Sequence, residues 1–179
     1  MEDVKRRSKV RIAIAKDAFS ERKELLTQKM SVNVKKQIVK TVVWSVALYG
    51  AETWTLRKED IRRLNALEMW LWRRMAKVSY KDRKTNECVL EMVGEGRKLV
   101  GMIVQRKKNW IGHVLRGDGL LREVIEGRME GKRPRGRPRM GMLEELKEGS
   151  SFVDMKRRAE NRGEWRCWVP RTCLRADHS

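Results

Sequence analysis

Lys58-Glu59-Asp60-Ile61-Arg62-Arg63-Leu64-Asn65-Ala66-Leu67-Glu68-Met69-Trp70-Leu71-Trp72-Arg73-Arg74-Met75 carries the clearest periodicity in the chain. Ile61, Leu64, Leu67, Leu71 and Met75, continued by Val78, recur at steps of three and four, the spacing that lines one face of an α-helix. Arg62, Arg63, Arg73 and Arg74 flank that stripe. The segment therefore predicts a helix with an apolar face for a core and cationic flanks for a polyanion or for water.

Working outward, the same period recurs on both sides. Ile12, Ala15, Phe19, Leu26 and Met30 predict an amphipathic helix within residues 2–30. Ser31 is placed to cap a second one, striped by Ile38, Val39, Val42, Val43, Val46 and Ala47 and interrupted at Gly50. Residues 51–56 read as a short extended link. Downstream, Thr85 or Asn86 caps a helix through Val93, and Gly94-Glu95-Gly96 separates it from a longer one holding Leu99, Ile103, Trp110, Ile111 and Val114. Arg106, Lys107 and Lys108 are expected to decorate the outside of that helix. Gly117, Gly119, Gly127, Gly131 and Gly136, with Pro134 and Pro138, predict an extended arm over 117–139. A short helix with Leu143 and Leu146 follows, and Ser151 with Asp154 forms a capping box for a last helix to about Val169. The fold class is all-α.

Charge narrows the partner. The 179 residues carry 43 Lys and Arg against 24 Asp and Glu, a net charge of +19. Such a surplus attracts phosphate backbones and releases their counterions whatever the base sequence, so RNA or DNA is the expected partner. The excess is densest in residues 97–139, with 13 basic and 4 acidic side chains. No run of about 18 apolar residues offers a membrane span. Cys88, Cys167 and Cys173 cannot all pair within the chain, and no signal peptide opens it, which points to an intracellular protein.

Several sharper readings weaken on spacing. Cys167, Cys173 and His178 fit no common zinc interval and lack a fourth ligand. His113 has no second ligand or acid nearby, so a packing or phosphate-contacting role is expected of it. No Gly-x-Gly-x-x-Gly or Walker pattern supports a nucleotide loop. Trp44, Trp70, Trp72 and Trp110 are expected to fill the core, whereas Trp54, Trp165 and Trp168 lie beside basic side chains, where stacking on a base is the second reading. Arg135-Gly136-Arg137-Pro138 matches the core of an AT-hook, whose arginines enter a narrow minor groove. An autonomous architectural DNA-binding protein built on that arm is thus the alternative to sequence-blind phosphate binding.

Leu48-Tyr49-Gly50-Ala51-Glu52-Thr53-Trp54 resembles the Leu-Tyr-Gly-x-Glu-Thr-Trp signature that follows the palm in LINE-type non-LTR retrotransposon reverse transcriptases. Ala13 to Phe19, Glu68 to Met75, Asn86-Glu87, Trp110 to Arg116, Glu126-Gly127-Arg128, Gly136 to Arg139, Arg157-Arg158-Ala159 and Trp165-Arg166 are similar to that family's C-terminal region in the same order. The resemblance implies a thumb-like helical region over 1–80, a helical connector over 81–116, the basic arm over 117–139 and a C-terminal helical segment over 140–179. It further implies that fingers and palm, with the aspartates that hold magnesium, precede residue 1 in the intact enzyme. No Tyr-x-Asp-Asp motif occurs here, so no catalytic residue and no cofactor are expected in this chain.

Its expected role is to hold the template-primer hybrid, in the nucleus, through phosphate contacts that do not read sequence. The residues expected to make them are Arg62, Arg63, Arg73, Arg74, Arg106, Lys107, Lys108, His113, Arg116, Lys132, Arg133, Arg135, Arg137 and Arg139.

Overall fold

A computed structural model describes residues 2–127, 141–147 and 150–168 of the chain, with side chains from residue 7 onward except at 144 and 145. Among these residues the protein is helical and contains no strand, as the apolar periodicities require. Helix α1 (Glu2–Glu21) and α2 (Lys23–Thr27) come from the first stripe. They are α3 (Val32–Ile38), α4 (Trp44–Ala47), α5 (Lys58–Met75), α6 (Asn86–Val93) and α7 (Leu99–Arg116) that continue the chain. Next come α8 (Leu120–Glu126), α9 (Glu144–Lys147), α10 (Phe152–Glu160) and α11 (Arg162–Cys167).

Two apolar clusters organise these elements. The first gathers Ala15 and Phe19 of α1, Trp44 of α4, Leu64, Leu67, Leu71 and Trp72 of α5, Val89 of α6, and Leu99 and Ile103 of α7. Trp44 and Trp72 meet edge to face at 5.8 Å near its middle. Full burial of each leucine contributes about 1.5–3 kcal/mol. The second cluster takes Val104, Ile111 and Leu115 from the rest of α7 and joins them to Leu146, Met155, Ala159 and Trp165. α7 therefore runs through both clusters, and its 18 residues tie the two ends of the described chain together.

Local chemistry sets the helix ends. Ser31 accepts from Val34 N, Thr85 from Cys88 N, and Ser151 from Asp154 N, which places the three predicted caps where the sequence puts them. Buried Glu68 caps α7 from a different helix: its carboxylate accepts from Lys98 N at 2.9 Å and from Leu99 N at 3.3 Å. α5 ends in a Schellman turn, with Val78 N donating to Arg73 O and Lys77 N to Arg74 O. The left-handed residue of that turn is Lys77, at φ 56°. Glycine adopts this conformation without the Cβ clash, so Lys77→Gly is expected to raise stability by about 1 kcal/mol in urea unfolding.

Five sequence expectations are corrected. The first helix breaks at Arg22 (φ −104°, ψ 14°) instead of running on towards residue 30. A π-turn over Val39–Val43 interrupts the second, so that Val39, Val43 and Trp44 all reach the core. The supposed link at 51–56 begins as a 3-10 turn (Ala51–Thr53), and Ala51, Trp54 and Leu56 are buried. Residues 120–126, assigned to the arm, form α8. The last helix is two: Asn161 accepts from Gly163 N and Glu164 N and so starts α11 afresh. No described helix is long and apolar enough to cross a membrane.

Candidate nucleic-acid interface

The most coherent basic feature is a groove of about 370 Å³ between α7 and α11. Gln105, Asn109, His113 and Arg116 line one side, at three- and four-residue steps along α7, and Arg162 and Arg166 line the other. No carboxylate is among its lining residues. His113, Arg162 and Arg166 are exposed, while Arg116 is half-buried. Arg116 Nη1 donates to Ala159 O at 2.8 Å, which fixes α10 against α7 and leaves the rest of its guanidinium facing the groove.

The floor of this groove is what holds α11 in place. The Trp165 indole lies on the surface of α7 at Gly112, where a Cβ would come within 2.1 Å of the indole nitrogen. That nitrogen donates to Lys108 O at 3.2 Å. Lys108 itself is buried, and its ammonium donates to the Arg166 and Trp168 carbonyls at the end of α11. A cation placed on the last carbonyls of a helix satisfies orphan acceptors and complements the helix dipole.

These contacts correct part of the expected site. Lys107 and Lys108 are 0% and 2% exposed, so neither is a surface phosphate contact. Three consecutive helical residues fan over about 200°, and here the inner pair of the run falls on the side where α7 meets the second cluster. Arg106, half-buried, donates to Leu48 O at 3.3 Å and ties α7 to the end of α4. Trp54 and Trp165 are buried at 7% and 3% exposure, which removes both as platforms for a base.

On α5 the expected arginines divide. Arg62 and Arg74 are exposed, and Arg74 lies over the Trp70 ring at 4.6 Å, with Lys16 of α1 also over that ring at 5.4 Å. Arg63 pairs with Glu59 and Asp60, yet still lines a groove with Lys9 and Lys16 on the α1–α5 seam. Arg73 is half-buried and donates to Lys84 O and Asn86 Oδ1, so it braces the turn after α5. Lys132, Arg133, Arg135, Arg137 and Arg139, and with them the AT-hook pattern, lie outside the described residues.

Arg162 and Arg166 were not singled out from sequence. Their i, i+4 spacing put them on one face of a helix, but only the docking of α11 on α7 brings that face to His113 and Arg116. Among the described residues, no three His, Cys, Asp or Glu side chains are grouped to hold a metal ion. Compared with known proteins, the chain matches no family model, no curated protein and no solved structure.

Proposed function

We propose that this protein grips nucleic acid through its phosphate backbone without reading sequence. The observation that carries the reading is the α7–α11 groove, which sets three arginines and a histidine beside two side-chain amides with no acid among its lining residues. Arginine guanidinium groups pair with phosphate bidentately, and such contacts fix position on a duplex but carry no base information. The net charge of +19 supplies the long-range attraction.

In its widest form the proposal is that the chain is the thumb and post-thumb part of a LINE-type reverse transcriptase, holding a template-primer hybrid for a palm that bears the magnesium-binding aspartates. Two observations favour it. The stretch that resembles the family signature, Leu48 to Trp54, packs Leu48, Ala51 and Trp54 into the first cluster. The neighbouring outer face of α1 exposes Val10 and Ile14 beside Tyr49 in a groove of about 460 Å³ that Arg7 and Arg11 also line, with Arg11 over the Tyr49 ring at 4.5 Å. Exposed apolar side chains set among cations are surface of the kind a further domain would cover.

The test is the double variant Arg162→Ala/Arg166→Ala in the full chain. Its affinity is expected to fall by a similar factor on duplexes of unrelated sequence, and the slope of log affinity against log salt to shrink by about 1 for each arginine removed. An unchanged salt slope would contradict the assignment of the groove.

A further inference from the structure

Between α5 and α6 the chain presents Tyr80 with 97% of its surface exposed. We propose that this turn is a binding tip for single-stranded nucleic acid, on which an unpaired base stacks against the Tyr80 ring while Arg83 and Lys84 hold the adjoining phosphates. The inference rests on the nucleic-acid reading above and names a strand form that the α7–α11 groove does not select.

The turn is built. At its start the Schellman bonds of Lys77 and Val78 close α5, and Val78 packs against the first cluster. In its middle Asp82 accepts from Ser79 N at 2.7 Å and Ser79 Oγ accepts from Lys81 N. Arg73 reaches across to Lys84 O at 2.8 Å and Asn86 Oδ1 at 3.1 Å, and Thr85 then caps α6. Two non-glycine residues, Lys77 and Arg83, are held at φ 56° and 47°, a conformation that disfavours side chains bearing Cβ. A turn fastened at both ends and carrying backbone strain has its shape imposed by its surroundings, and such strain concentrates at ligand-binding positions.

What the shape achieves is the display of one aromatic ring among cations. Residues 76–86 contain Lys77, Lys81, Arg83 and Lys84, and their only acid, Asp82, is occupied in the turn. Arg73, Tyr80, Arg83 and Lys84 together border a groove of about 570 Å³. Apart from the Tyr80 ring, the side chains that border this groove are cationic, so it offers no continuous hydrophobic docking patch. A planar group attached to anions satisfies both halves of the site, and an unpaired nucleotide is that group. Bases of a duplex are already stacked on one another, so the ring adds affinity only for a single strand, and it does so for any base. Because the backbone is fixed before binding, little ordering entropy opposes the contact.

Fluorescence anisotropy on the full chain tests this, with a labelled mixed-sequence oligonucleotide, the same oligonucleotide carrying abasic sites, and its blunt duplex as probes. Tyr80→Ala is expected to weaken single-strand binding about 5- to 150-fold. Duplex and abasic affinities should stay within about twofold, and Tyr80→Trp should retain single-strand binding, since stacking requires only the aromatic face. An unchanged single-strand affinity in Tyr80→Ala, with wild-type duplex binding intact, would overturn this inference alone. Equal weakening on all three probes, or Tyr80-dependent retention on phosphatidylserine vesicles without an oligonucleotide effect, would overturn it as well. Failure of the wild-type chain to bind any of the three would remove this inference together with the reading beneath it.

Discussion

Trp165→Ala is expected to cost about 3–5 kcal/mol in urea unfolding, the range for truncating a buried tryptophan. Its ring is 3% exposed, lies on Gly112, donates to Lys108 O and meets Trp168 at 5.0 Å. No other described side chain of α11 is buried, so its removal should also release α11 from α7 and separate Arg162 and Arg166 from His113 and Arg116. Stability and phosphate affinity should therefore fall together. The reciprocal change, Gly112→Ala, pushes a methyl into the indole. Overpacking of that kind costs about 1–3 kcal/mol, offset by up to about 1 kcal/mol of helix propensity. A Trp165→Ala loss below about 1 kcal/mol would mean that α11 is not docked as described.

Removing the Glu68 carboxylate is the second large effect. Glu68→Ala leaves the Lys98 and Leu99 amides without their acceptor, at about 2–3 kcal/mol. It also frees the start of the helix that joins the two clusters, so the loss should appear in both. The same group gives stability a pH dependence. Burial pushes the Glu68 carboxyl above its ordinary 4.5, against the pull of the Lys98 and Leu99 amides. The folded chain then holds that proton to higher pH than the unfolded chain does. Stability from this source is full below 4.5 and declines as pH rises through the raised folded value. Glu68→Gln, which does not titrate, should flatten that decline. A wild-type profile that rises over the same interval, with no difference in Glu68→Gln, would contradict the assignment.

How much of this was legible in the sequence depended on the range of the forces involved. Helices α5, α6 and α7 were readable because their stripes repeat along the chain, and Ser31, Thr85 and Ser151 were readable because a cap acts within three residues. Asn161 with Glu164 carries the same kind of signal for α11, within a stretch that the sequence alone presents as one helix from Ser151. Gly119 and Gly127 make residues 120–126 look like loop, although the segment between these two glycines has ordinary helix formers.

Other features are tertiary in origin. A run of Arg106, Lys107 and Lys108 looks like a solvated face until α10 and α11 cover one side of α7. The capping of α7 by Glu68, thirty residues earlier, leaves no local trace. The basic groove likewise required α7 and α11, which are far apart in sequence, to be seen side by side. Charge alone gives equal weight to cations that meet water and cations that meet carbonyls, as Arg106 and Lys108 do. Of the α7 candidates, His113 and Arg116 open onto the groove, while Lys108 lines it as a buried group spent on the Arg166 and Trp168 carbonyls.

The most direct measurement is the affinity of the full chain for an RNA–DNA hybrid, an A/T-rich duplex and a G/C-rich duplex across a salt series. Linear plots of log affinity against log salt, with slopes and intercepts shared among sequences, are the predicted result. Binding that survives high salt, or that selects the A/T-rich duplex by more than tenfold, would contradict sequence-blind phosphate recognition.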